Sequence, residues 1–207
     1  MPDPTRHQER APRADAQRNR DHILGAAEEY FAQHGVTGSL DAIAKRAGVG
    51  AGTLYRHFPN RETLLAGLLA QRDAELVRRR DRLRHKSADA VEALDGWLAA
   101  VSDWASAFEG LPEPLRAATV TESSPLATTC EGFVTTTAEF LREAQDEGAA
   151  RPEIRARDLF LAALATSWVR GAALADDASA SGLVGLTRHG WEVGVSRRDA
   201  SSTTQDD

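Results

Sequence analysis

Apolar residues recur at helical spacing along almost the whole chain, in blocks that are separated by glycine, proline and short polar runs. The first block extends from Arg18 to Gln33 and places its large apolar residues on one face: Ile23, Leu24, Ala27, Tyr30 and Phe31. A helix with one apolar stripe buries that face against a neighbouring element. Because the later blocks have the same period, the pattern predicts an all-α fold.

The densest group of helix start and stop signals lies in residues 39–61. Ser39 is a suitable N-cap, since its hydroxyl can accept a hydrogen bond from the first helical turn. Gly48 can adopt the left-handed conformation that closes a helix end. A second short helix, Thr53–Phe58, ends before Pro59, which has no N–H to donate. Two short helices joined by a glycine-containing turn form a helix-turn-helix.

Hydrogen-bonding side chains occupy the face of the second short helix that is opposite its apolar residues: Thr53, Tyr55, Arg56 and His57. Such groups suit the phosphate oxygens and base edges of double-stranded DNA. Arg56 is the candidate for a guanine contact, because bidentate arginine–guanine pairing is the commonest specific contact. Ala51 and Gly52 offer no hydrogen-bonding side chain, so DNA shape must contribute to recognition.

This region resembles the DNA-binding domain of the TetR family of bacterial transcriptional regulators over about residues 18–70. The resemblance rests on ILGAAEEYF at 23–31, the His34-Gly35 break, LDAIAKRAGV at 40–49, GTLYRHF at 52–58 and NRETLL at 60–65. It implies that Thr53, Tyr55, His57 and Arg61 mostly clamp phosphates, and that Ser39 adds a further contact. It also implies a homodimer, a ligand-sensing C-terminal domain, and repression that a small molecule relieves. A dimer of this kind reads a palindromic operator.

The predicted architecture is an N-terminal three-helix helix-turn-helix domain, 18–62, joined to a larger C-terminal helical ligand-binding and dimerisation domain, 63–196. Residues 1–17 and 197–207 are polar and are predicted to be a disordered arm and tail. The remaining predicted helices are a long one from Arg61, then Ser87–Phe108, Glu113–Val120, Leu126–Glu147, Ile154–Ala175 and Leu183–Val195.

Arginines recur through the predicted arm and into the first helix: Arg6, Arg10, Arg13, Arg18 and Arg20. One interpretation is a solvated tail. The other is an arm that lies along a narrow minor groove, which attracts arginine.

The last two helices carry more apolar surface than one small domain needs, so they are the predicted dimer face. Its residues are Phe160, Leu164, Trp168, Leu183, Leu186 and Trp191. Aromatic side chains on three helices are the predicted lining of a ligand pocket: Trp97, Trp104, Phe108, Phe133, Phe140 and Trp168. Possible polar anchors are Glu122, Cys130, Thr137 and Arg170. In both cases the alternative is that these residues form the ordinary core. A pocket of this kind would take a mainly apolar effector.

The net charge of −6 is unevenly distributed. Residues 1–60 hold eight Lys and Arg against seven Asp and Glu, whereas the rest of the chain holds 17 against 24. The positive charge that faces DNA must therefore be concentrated in a small patch of the surface and cannot come from the charge of the whole protein. A single cysteine, Cys130, suits a reducing compartment. Together with the lack of a signal-peptide pattern or a long apolar run, it predicts a cytoplasmic protein without a membrane partner.

No sequence pattern of a hydrolase elbow, a phosphate-binding loop or a metal site is present, so we expect neither an enzyme nor a cofactor. The expected function is sequence-specific transcriptional regulation with operator DNA, an effector and a second copy of the chain as partners. The alternative is a helical ligand- or protein-binding dimer that has weak or lost specific DNA readout. Salt-dependent, sequence-selective DNA binding distinguishes the two.

Overall fold

The computed structural model describes residues 10–121, 123–172, 174–176 and 178–194. Within these ranges the chain is helical, with one isolated antiparallel bridge between Ala150 and Glu192. The helices are α1 Arg10–His34, α2 Leu40–Arg46, α3 Ala51–His57, α4 Arg61–Lys86, α5 Ala90–Ala105, α6 Pro112–Ala118, α7 Ala127–Asp146, α8 Ala156–Val169 and α9 Ser179–Trp191. The predicted all-α class is confirmed.

Helices α1, α2 and α3 enclose a small apolar core. Ile23 and Phe31 of α1 are fully buried together with Ile43 of α2 and Leu54 of α3. The Ser39 hydroxyl accepts a hydrogen bond from the Ala42 amide at 3.3 Å, as its role of N-cap requires. Gly48 has φ +69°, so α2 ends in the left-handed conformation that the sequence predicts.

Helix α1 begins at Arg10, eight residues before the predicted start. The prediction of a disordered arm is therefore wrong for residues 10–17, while residues 1–9 lie outside the described residues. The physical reason is that alanine, arginine and glutamine favour helix. Pro12 falls in the first turn, where a missing N–H breaks no intrahelical bond. The Gln17 side chain also donates to Asp21 at 2.8 Å, a stabilising pair one turn apart.

The predicted bounds of the last two helices differ from the observed ones. Helix α8 ends at Val169, six residues before the predicted Ala175. Helix α9 begins at Ser179, four residues before the predicted Leu183, and ends at Trp191. Apolar alanine-rich sequence continues past the end of α8, so periodicity alone could not locate that end. The predicted tail 197–207 lies outside the described residues.

Helix α4 belongs to both parts of the molecule. Its N-terminus carries a capping box, in which the side chain of Asn60 accepts from the Thr63 amide at 2.8 Å. Gly67 lies so close to the small domain that a Cβ there would come within 3.0 Å of the Phe58 ring. Nearer its C-terminus, Leu83 faces Gly96 of α5. The helix thus contacts the helix-turn-helix with its first half and the larger domain with its second.

The core of the larger domain is centred on Trp97. Its indole N–H donates to the Thr137 hydroxyl at 2.9 Å, and both side chains are buried. The indole stacks on Phe140 with ring centroids 5.6 Å apart and meets Phe133 edge-on at 6.2 Å. A buried indole that keeps a hydrogen-bond partner fixes the relative position of α5 and α7. No helix in the described part of the chain is long and apolar enough to cross a membrane.

Candidate nucleic-acid interface

Helix α3 has the two-faced character that the sequence predicts. Leu54 and Phe58 are buried, whereas Tyr55 is 44% exposed and Arg56 is exposed. Thr53 and His57 are half-buried, and Ser39 is exposed at the start of α2. The structure therefore leaves these predicted contact residues accessible on one side of the helix-turn-helix.

The N-terminal end of α3 presents an open surface. Cβ atoms built on Gly50 and Gly52 would meet no heavy atom within 4 Å. The Thr53 amide donates to the Gly50 carbonyl at 2.9 Å, whereas the Ala51 and Gly52 amides make no such bond within the described residues, and Gly50, the N-cap, has no side chain to satisfy them. This end can therefore approach a DNA backbone closely and donate to its phosphates.

Arg61 has a structural role that the sequence did not indicate. Its guanidinium donates to the carbonyl of Gly38 at 2.7 Å and to the carbonyl of Val36. It also lies over the Phe31 ring, 5.9 Å from the centroid. These contacts hold the turn between α1 and α2 against the start of α4. The role of Arg61 as a phosphate clamp stays a prediction, and the structure adds that its guanidinium already binds backbone carbonyls, which no side-chain pattern reveals.

Lys45 is a candidate phosphate contact that the sequence analysis did not select. It is exposed in the last turn of α2 and makes no ion pair with any described residue. Its neighbour Arg46 is held by Glu29 at 3.2 Å and by Gln33 at 3.3 Å, so its charge is partly neutralised. The sequence shows only that two basic residues, Lys45 and Arg46, are adjacent. It does not show which of the two side chains pairs with an acidic residue of the protein.

Two short helices with a buried inner face and an accessible donor-bearing outer face define a helix-turn-helix DNA-binding protein. Residues 23–68 match the family model described as bacterial regulatory proteins, tetR family. Residues 89–193 match the model described as transcriptional regulator SbtR-like, C-terminal domain.

A TetR transcriptional regulator of known structure from Streptomyces coelicolor is 30% identical, with 84% of this chain and 98% of that chain covered and a TM-score of 0.53. The chain belongs to the TetR family of bacterial transcriptional regulators, which are non-enzymatic DNA-binding transcription factors.

Curated relatives match over a short part of the chain. An HTH-type transcriptional regulator of Staphylococcus aureus is 42% identical over 65 residues, which are 31% of this chain and 35% of the relative. The chain thus matches about a third of the length of these relatives. The regulator RolR, solved in complex with the ligand resorcinol, is 18% identical over 86% of this chain and 89% of that chain, with a TM-score of 0.60. At 18% identity this similarity shows a shared fold and nothing about the ligand of this chain.

A cavity of about 470 Å³ lies between α6, α7 and α8. Its wall contains apolar, hydroxyl, thiol and charged side chains, among them Thr119, Cys130, Glu131, Thr135, Arg157 and Phe160. This volume is within the range of small-molecule sites. The charged residues Glu131 and Arg157 were not in the predicted lining, which consisted of aromatic side chains with a few polar anchors. In the described residues, no group of side chains suitable for a metal ion is present.

The six predicted pocket aromatics do not line this cavity. Trp97, Phe133 and Phe140 pack with one another in the core, and Trp104 meets Phe133 edge-on at 4.6 Å. Phe108 packs instead against Phe31 of α1, with centroids 6.2 Å apart. Helical periodicity shows that a side chain faces inward and cannot show whether a cavity remains beside it.

Trp168 is 60% exposed, so it belongs to neither the core nor the cavity. Among the possible polar anchors, Cys130 does line the cavity. Thr137 is the partner of the Trp97 indole, and Arg170 pairs with Asp103 at 2.8 Å. Glu122 lies outside the described residues.

Three of the predicted dimer residues are core residues of the single chain. Phe160, Leu164 and Trp191 are 1%, 4% and 1% exposed, so they have no surface to offer a partner. Leu183 is half-buried, and Leu186 is 74% exposed. The exposed large apolar side chains of the two helices are Leu161, Trp168, Val184 and Leu186. The exposed apolar surface therefore keeps Trp168 and Leu186 of the predicted set and adds Leu161 and Val184, which that set did not contain.

Cys130 is expected to react slowly with thiol reagents. Burial, together with the nearby Glu131 charge, raises the pKa of its thiol to about 11. Because the thiolate is the reactive form, roughly one molecule in ten thousand is reactive at pH 7. Labelling by a chromogenic disulfide should accelerate about tenfold per pH unit up to about pH 10. The protein unfolded in urea is the control, and fast labelling of the folded chain at pH 7 would contradict the assignment.

Proposed function

We propose that the chain is a homodimeric repressor that binds a palindromic operator and leaves it when a small molecule occupies the larger domain. The observation that carries the DNA-binding part is the accessible face of α3, where Thr53, Tyr55, Arg56 and His57 surround an open helix start. Arg56 makes no ion pair or side-chain hydrogen bond with the described residues, so its guanidinium is available for a base.

The exposed apolar surface of α8 and α9 supports the homodimer. Trp168 and Leu186 are large apolar side chains that are 60% and 74% exposed, an arrangement that marks an interaction surface. Two copies that pair through these helices would form a four-helix interface. A twofold axis there would present two α3 helices to successive major grooves, which requires a palindromic operator.

The cavity between α6, α7 and α8 supports the small-molecule effector. Its wall combines Phe160 with Arg157, Glu131 and threonine hydroxyls, so the effector we propose is a small amphipathic molecule with polar groups. This differs from the mainly apolar effector that the aromatic residues predicted. A relative of the same fold, RolR, has been solved with resorcinol, a small molecule of this kind.

Selection from a library of random DNA fragments tests the proposal. The full-length protein is expected to enrich fragments that share two inverted half-sites, and the enriched fragment then serves as the operator. A set of fragments without a shared motif would mean that DNA readout is lost, and would favour the alternative of a helical ligand- or protein-binding dimer.

Replacing Arg56 with alanine is expected to weaken operator binding by about 1–3 kcal/mol and to relax base preference at one position of each half-site. The reason is the loss of two donors to one guanine edge. Competition binding against operators with single base changes measures the effect. Lys45→Ala is the comparison, since loss of a phosphate contact weakens binding to every sequence alike. An unchanged base preference in the Arg56 variant would show that another residue reads the base.

A further inference from the structure

The start of α7 is bound to the start of α4. The Ser124 hydroxyl donates to the Glu62 carboxylate at 2.9 Å and accepts from the Leu126 amide at 3.2 Å. Ser124 is 8% exposed, so water competes little for its hydrogen bonds. A single hydroxyl therefore connects the residues that lead into α7 with the first turn of α4.

The first turn of α4 is also where the DNA-binding domain is held. Arg61, next to Glu62, donates to the carbonyls of Val36 and Gly38 in the turn before α2. The two neighbouring side chains thus point to different parts of the molecule. Arg61 binds the helix-turn-helix, and Glu62 binds the larger domain through Ser124. A displacement of Ser124 would therefore move the first turn of α4 and, through Arg61, the turn that positions α2.

The first turns of α7 are at the same time a wall of the cavity. Ala127, Cys130 and Glu131 line it from α7, only a few residues after Ser124. The Cys130 thiol also lies 3.9 Å from the Leu115 carbonyl of α6, which ties the α7 wall to the next helix. A molecule that enters the cavity must contact the segment whose end is fixed to Glu62.

We propose that Ser124 is a positioning residue that couples the cavity to the DNA-binding domain through its hydrogen bond to Glu62. The proposal rests on the proposed function, because it assigns the cavity to the effector and α3 to the operator. In it, occupancy of the cavity shifts the start of α7, and the Ser124–Glu62 bond transmits the shift to α4 and the helix-turn-helix. Since coupling between two sites is reciprocal, operator DNA must also change the cavity.

Cys130 is the reporter for the test, because it is the sole cysteine and lines the cavity. The full-length protein is labelled with a chromogenic disulfide at about pH 9, where the thiolate is more abundant, with and without saturating operator from the selection. In the wild type we expect the operator to slow labelling by about fivefold or more. Ser124→Ala should reduce this effect to less than about twofold.

Two variants control for a merely structural role. Ser124→Thr keeps the hydroxyl and is expected to keep the effect of the operator. Ser123→Ala removes the hydroxyl of an exposed neighbour that makes no side-chain hydrogen bond in the described residues, and it should behave as the wild type. All variants retain the backbone bond from the Val36 amide to the Glu109 carbonyl, 2.8 Å long, which also joins the two domains.

Hydrogen exchange of the free protein gives a second readout that needs no operator. Amides of residues 61–65 are expected to exchange faster in Ser124→Ala and in Glu62→Ala, and no faster in the double variant than in either one. Equal operator effects on Cys130 in the wild type and Ser124→Ala would overturn the coupling, as would unchanged exchange in both single variants. Failure to select an operator would refute the proposed function and leave the exchange result to decide the role of Ser124.

Discussion

Phe58→Ala is expected to destabilise the DNA-binding domain by about 3–5 kcal/mol, the usual effect of removing a buried aromatic side chain. The ring is 1% exposed at the end of α3 and lies against Gly67 of α4. The Arg20 guanidinium covers it at 4.8 Å from the centroid. Without the ring, the recognition helix loses this packing contact with α4, and we expect operator binding to fall with it.

Urea unfolding followed by circular dichroism measures the effect of Phe58→Ala. Tyr55→Ala is the matched control, because this aromatic residue is on the same helix and is 44% exposed. It should destabilise by less than about 1 kcal/mol, as exposed substitutions do. If Phe58→Ala were as mild as Tyr55→Ala, the packing of α3 on α4 would not be what holds the recognition helix.

Arg61→Ala is expected to destabilise the protein by about 2–3 kcal/mol, because two backbone carbonyls lose a charged donor. The carbonyls of Val36 and Gly38 belong to the turn that leads into α2. That turn should therefore become more mobile, and operator affinity should fall as a consequence of lost order.

The comparison of Arg61→Ala with Arg56→Ala separates structure from recognition. The midpoint of thermal unfolding of the free protein should be lowered by the Arg61 change and unchanged by the Arg56 change, since Arg56 is exposed and makes no ion pair or side-chain hydrogen bond within the described residues. An Arg61 variant with wild-type stability and weakened operator binding would support the phosphate-contact role that the sequence implied.

The DNA-binding end could be predicted in detail from the sequence because its signals are local. Ser39, Gly48 and Asn60 act within a few residues of their own position, and each occupies the cap or turn that the sequence indicates. The inner face of α3 follows from the spacing of Leu54 and Phe58. The local pattern could not show which basic side chains already have partners within the protein. Arg61 binds a backbone carbonyl, and Arg46 forms an ion pair.

The larger domain could be predicted only as a set of amphipathic helices. Whether an aromatic residue packs in the core or lines a cavity depends on how three helices that are far apart in sequence pack together. Periodicity carries no information about that packing. Trp97 and Trp168 have similar sequence surroundings, yet one is buried and the other is 60% exposed. Of the polar wall of the cavity, only Cys130 was predicted; Arg157 and Glu131 were missed for the same reason, since a charged residue at helical spacing can face either solvent or a cavity.

We propose that the exposed face of α3 reads a specific DNA sequence. Titration of the full-length protein against the selected operator and against a fragment with one half-site scrambled, at several salt concentrations, tests it directly. We expect affinity for both fragments to fall with salt as phosphate contacts are lost, and the operator to remain at least about a thousandfold tighter at physiological salt. Equal affinity for the two fragments at every salt concentration would contradict the claim.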